Sequence, residues 1–143
     1  MIKQKINGDL LEVIPLGAGN EVGRSCVVVK FKGKTVMFDC GIHPAHNGIY
    51  CLPYFDFINA SEVDLLMITH HHLDHCGALP YFLKNTQFKG KVVMTHATKA
   101  IYKYVLSDYV KICNMNKEKE DFLYDDSDLN QSMSRIDPIT HHR

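Results

Sequence analysis

The run Val63-Asp64-Leu65-Leu66-Met67-Ile68-Thr69-His70-His71-His72-Leu73-Asp74-His75 decides how the rest of the chain reads. Its first seven residues are near-continuously apolar, the pattern of a strand buried in the centre of a sheet. Four histidines and an aspartate then follow within six positions. In α/β folds ligand groups collect where the chain leaves the sheet at the carboxyl end of a strand. Alternate side chains of extended backbone share a face, so His70 and His72 point one way and His71 the other. Asp74 and His75 come where the backbone curls, and Gly77 permits the turn after them. Two imidazoles from one short segment grip one divalent ion, and Asp74 with His75 supplies a second. Two such ions, roughly 3.5–4 Å apart, activate a water and clamp a phosphodiester oxygen. The donor set N, N, O, N suits zinc ahead of manganese or iron.

The metal-ligand candidates are therefore His70, His72, Asp74 and His75, with Asp74 and His75 also the candidate catalytic residues. A metal-free, histidine-rich turn would be the better reading of a lone His-x-His, but not of His-x-His-x-Asp-His behind a buried strand. His71, His43, His46, His141 and His142 are expected to pack or face solvent, and His96 to play a structural part. Asp39 ends another strand. It is either a plain turn residue or a buried carboxylate that orients a ligand histidine from behind.

Upstream, Leu11–Leu16 alternates as a strand and runs into the glycine-rich turn Gly17–Gly23. The spacing there is GxGxxxG, and a strand follows it, so the helix N-terminus that a dinucleotide site requires is missing. Cys26–Phe31 and Thr35–Asp39 form two further strands about the turn Lys32-Gly33-Lys34, giving a β-meander. Cys40–Asn59, with Gly41, Pro44, Gly48 and Pro53, reads as a structured loop. Downstream, residues 78–84 form a short helix with Pro80 in its first turn. Lys91–Thr95 is a strand, and Ala97–Cys113 carries apolar residues at the spacing of one helical face. Ser127 or an adjacent aspartate caps a last helix carrying Leu129, Met133 and Ile136, and Lys117–Asp121 is a solvated loop before it. Strands first, then strand and helix in alternation, define an α/β (or α+β) layered fold.

The 143 residues are expected to form one domain with a real core. Sixteen basic residues balance sixteen acidic ones. With no basic surplus, a nucleic-acid partner has to be argued from the site. The N-terminus has no secretory pattern, and no stretch approaches the ~20 apolar residues of a membrane helix, so no membrane partner is expected. Five cysteines, odd in number and without CxxC, read as reduced intracellular thiols.

Several longer stretches carry a family likeness. These are Pro15–Cys26 (PLGAGNEVGRSC), Asp39–Pro44, His70–Pro80, Thr95–Tyr102 and Ser107–Lys111. In them the chain resembles the metallo-β-lactamase/β-CASP nucleases, and GAGNEVGRSC with DHCGALP resembles their RNA 3′-end-processing branch. The resemblance implies an αββα sandwich with two zinc ions at one edge. Residues 1–143 would be the N-terminal half of it, with no β-CASP domain present. It implies that His70 and His72 bind one zinc, that Asp74 and His75 bind the other, and that Asp39 is the first-motif aspartate beside them. The implied activity is endonucleolytic cleavage of pre-mRNA before poly(A) addition, in the nucleus, alongside other subunits of a 3′-end-processing complex. An Integrator-type RNA endonuclease and a non-catalytic interaction fragment are the alternatives. His71 stands where relatives carry an aromatic residue. The family's later metal histidine, bridging aspartate and proton-donating histidine have no counterpart here, so this stretch alone is expected to bind zinc weakly and to be inactive.

Overall fold

The computed structural model describes residues 1–115 and 123–141. Its frame is one seven-stranded sheet whose strands lie side by side in chain order. Strands β1 (Ile2–Ile6), β2 (Asp9–Gly17), β3 (Cys26–Phe31) and β4 (Lys34–Phe38) pair antiparallel. Strands β5 (Leu65–Met67), β6 (Lys91–Thr95) and β7 (Ile136–Ile139) then add in parallel, each to the one before.

The change of direction follows from the connections. Asn7 and Gly8, and likewise Lys32 and Gly33, all have positive φ and close two-residue hairpin turns. Turns with φ > 0 at both central positions match the twist of antiparallel strands. The parallel strands need longer crossovers. Three short 3-10 turns within residues 48–62 lead from β4 to β5. Helices α1 (Leu73–Cys76) and α2 (Leu79–Asn85) lie between β5 and β6, and α3 (His96–Met115) and α4 (Asp126–Arg135) between β6 and β7.

Period-2 alternation decides which side chains meet the helices. Val28, Met37, Leu66 and Val92 occupy successive register positions across β3 to β6 and are fully buried. Phe82 of α2, Tyr102 and Leu106 of α3 and Leu129 of α4 complete the core beside them. The opposite face, with Val27, Val29, Val36, Phe38, Leu65, Met67 and Val93, is apolar but only half-buried. The α/β class expected from the sequence is the one observed.

Several boundaries differ from the sequence reading. The sheet starts at Ile2, not at Leu11, because the Asn7-Gly8 turn folds an extra strand onto β2. Pro15 fits inside β2 because β1 pairs only as far as Val13, so its missing N–H faces no partner there. The apolar run 63–69 forms ladder only over Leu65–Met67. Of the capping candidates around Ser127, an aspartate takes the role, Asp125, in a reciprocal capping box with Asp128. Ile136 leaves α4 and starts β7. Pro138 pushes the residue before it out of helical geometry and is tolerated because β7 is an edge strand. Residues Lys117–Asp121 and His142 lie outside the described residues.

Tyr124 ties the start of α4 to the segment that carries the histidines. Its buried hydroxyl donates to the Gly77 carbonyl over 2.6 Å. Burial pushes its phenol well above the ordinary range, so it remains a donor at any working pH. Tyr124→Phe is expected to lower unfolding free energy by about 1–3 kcal/mol, the cost of leaving a buried carbonyl unpaired, in a urea titration.

Candidate metal centre

Asp39 and His70 leave the sheet at the carboxyl ends of neighbouring parallel strands, β4 and β5. Their proximity therefore follows from strand pairing. Asp39 adopts a left-handed backbone conformation, with φ +66°, which aspartate tolerates better than most residues. Only 5% of its surface is exposed. Its carboxylate accepts three hydrogen bonds. The Thr69 N–H donates to Oδ1 at 2.7 Å, and the Thr69 hydroxyl donates to Oδ2 at 2.8 Å. His75 Nδ1 is also 2.7 Å from Oδ2. A carboxylate only accepts, so that imidazole nitrogen carries the proton and Nε2 keeps its lone pair.

The backbone after His70 is held as closely. The Asp74 carbonyl accepts from the Ser25 N–H, the His75 carbonyl from Cys40 and the Leu73 carbonyl from Ile42, all within 2.8–3.0 Å. A four-residue helix such as α1 cannot satisfy its own final carbonyls, and two other segments of chain do so here. The Cys76 thiol donates to the His71 carbonyl at 3.2 Å. These contacts require Gly41, since a Cβ there would meet the Asp74 carbonyl oxygen.

The result is a tight group. His70, Asp74 and His75 each offer a ligand atom, all within 4.8 Å of one another. The His70 and His75 rings lie 3.8 Å apart, and His75 Nε2 is 3.4 Å from Asp74 Oδ2. Partial burial, then the neighbouring His75 and His72, hold the His70 pKa below its ordinary value and favour the neutral ring that a metal needs. Two imidazoles and a carboxylate converging in this way fit a divalent transition metal.

His72 lies at the margin of the group. Its ring is 4.9 Å from that of His70, but it is exposed, is not one of the three converging residues, and N-caps α1 through its backbone. His71 is half-buried, with an Nδ1 that has no protein partner. His96 is exposed at the start of α3, and His43 packs on His46 at 4.4 Å beside Glu21. None of these four histidines belongs to the converging group. All five cysteines are free thiols, and burial pushes those of Cys26, Cys40 and Cys76 well above the ordinary range. Sequence reasoning passed over Thr69, although it is the one hydroxyl in an apolar run and directly precedes a candidate ligand. It also passed over Gly41 as the point of contact with Asp74.

The pattern of the metallo-beta-lactamase superfamily matches residues 19–142, and the chain belongs to that superfamily. It is 59% identical over 134 residues to the cleavage and polyadenylation specificity factor 73 of Drosophila melanogaster, covering 94% of this chain and 19% of the relative. It is 57% identical to subunit 3-I of the same factor in Arabidopsis thaliana, covering 96% and 20%. It is 55% identical to the endoribonuclease ysh1 of Schizosaccharomyces pombe, covering 94% and 17%. The chain thus spans about a fifth of the length of the curated relatives it matches. Among solved structures, a chemotaxis sensor ODP with a peroxy diiron species has a TM-score of 0.50 at 16% identity, covering 97% of this chain and 44% of that one. That likeness concerns the fold alone.

Gly41→Ala is expected to push the Asp74 carbonyl away and destabilise the fold by about 3 kcal/mol, at the upper end of overpacking costs. A thermal melt and a urea titration of the variant measure it.

Proposed function

We propose that this chain is part of a zinc-dependent endoribonuclease that cuts pre-mRNA ahead of poly(A) addition. The convergence of His70, Asp74 and His75 beside the buried Asp39 carries the reading, in a chain whose relatives are named as cleavage and polyadenylation factors and endoribonucleases. On this reading residues 1–143 are the N-terminal part of a metallo-β-lactamase domain. His70 and His72 hold one zinc, and Asp74 and His75 hold the second. A tetrahedral ion takes four ligands, so two donors apiece leave positions for further groups and for water.

When bound, the ions supply Lewis acidity toward the scissile phosphodiester and lower the pKa of a water. The chain's own residues do the positioning. Asp39 holds His75 by Nδ1 and so turns Nε2 outward, the usual carboxylate–histidine arrangement behind a metal. Asp74, 3.4 Å from that nitrogen, sets its negative charge where a cation and the attacking water would sit. The relatives' names place them in cleavage and polyadenylation, which supports pre-mRNA as the substrate and other subunits of a nuclear 3′-end-processing complex as the partners.

Calorimetric titration with zinc is expected to give binding that weakens by roughly tenfold or more in His75→Ala, because a first-sphere ligand is lost. In the native protein, Asp74→Ala is expected to reduce endonucleolytic cleavage of a pre-mRNA by about a hundredfold or more, or roughly 2.7 kcal/mol of barrier. Cleavage at the parental rate by that variant would remove the nuclease reading.

A further inference from the structure

We propose that Thr69 is a positioning residue that fixes the tautomer of His70 through Asp39; the proposal deepens the zinc reading above and rests on it. Asp39 Oδ2 lies 2.8 Å from the Thr69 hydroxyl, and an ionised carboxylate can only accept. Thr69 therefore spends its single hydroxyl proton on Asp39. The same Oγ1 lies 3.2 Å from His70 Nδ1. Having no second proton to give, it can only accept there, so His70 carries its proton on Nδ1 and presents Nε2 as a bare lone pair.

Asp39 Oδ2 imposes the same tautomer on His75 directly, over 2.7 Å. One carboxylate thus sets two rings, one by contact and one through a hydroxyl relay. The Thr69 N–H on Oδ1, at 2.7 Å, keeps the relay in place and does not depend on the side chain. Rings 3.8 Å apart would otherwise be free to turn N–H groups toward each other and toward an incoming cation. Serine would serve as well as threonine. Valine has the same shape but breaks the relay.

The test is long-range ¹H–¹⁵N NMR of the imidazoles in the metal-free chain, with zinc titrations alongside. In the parent both His70 and His75 are expected as Nδ1–H tautomers. Thr69→Val is expected to shift His70 toward the Nε2–H form, leave His75 unchanged and weaken zinc binding roughly tenfold. Thr69→Ser is expected to restore both readings. A parental His70 protonated on Nε2, or a Thr69→Val variant with unchanged tautomer and affinity, overturns the proposal. A native protein that binds no zinc, with the expected tautomers in the chain, refutes the zinc reading and leaves the relay standing. Should Thr69→Val melt far below the parent, the parental spectrum and Thr69→Ser decide the matter.

Discussion

A buried carboxylate is stable only where donors surround it, and Asp39 obtains its three donors from residues 30 and 36 positions further along the chain. Each of those bonds joins β4 to the segment that follows β5. The left-handed turn at Asp39 places the carboxylate between them, and the parallel pairing of β4 with β5 delivers Thr69 to it. Remove the carboxylate, and both the Thr69 end of β5 and the His75 ring lose their reference point. An unpaired charge in that position would in turn be costly to bury.

The second support is backbone alone. Three successive carbonyls, at Leu73, Asp74 and His75, are taken up by N–H groups from Ile42, Ser25 and Cys40. The side chains of Asp74 and His75 thus project from a turn whose peptide groups have little freedom to tilt. This explains why the glycine-rich turn after β2 and the loop after β4 lie beside the histidine segment. Neither brings a ligand to the converging group. Both brace the turn that does.

Much of this was legible in the sequence, for identifiable reasons. The apolar run before His70, the β-branched run Cys26–Phe31 and the periodicity of α3 come from patterns that burial enforces, and they appear in the structure with small shifts at their ends. The α/β class followed from their order. Other features depended on pairing that no local window contains. β1 is exposed along its whole length and has no inward face to read, and its Asn7-Gly8 turn went unread with it. Ile136 has the spacing of a helical residue, and only Pro138 two places on marks the switch to β7. At the site, residue types were readable and orientations were not. Strand alternation put His72 beside His70, and their rings lie 4.9 Å apart, but it did not show that the start of α1 brings Asp74 and His75 round to His70. The role of Thr69 needed Asp39 in space.

The two kinds of strand connection impose an order of events. The β1–β2 and β3–β4 hairpins close over two residues each, on the microsecond scale of local structure. The Asp39 contacts span a loop of some thirty residues, whose closure entropy has to be met before any hydrogen bond repays it. A nascent chain can therefore own a finished meander while its histidines are still scattered. An ion captured at the ring cluster would act on one of these long-range steps, holding shut the loop between β4 and β5, and through mass action its stabilisation would grow with the concentration of free metal.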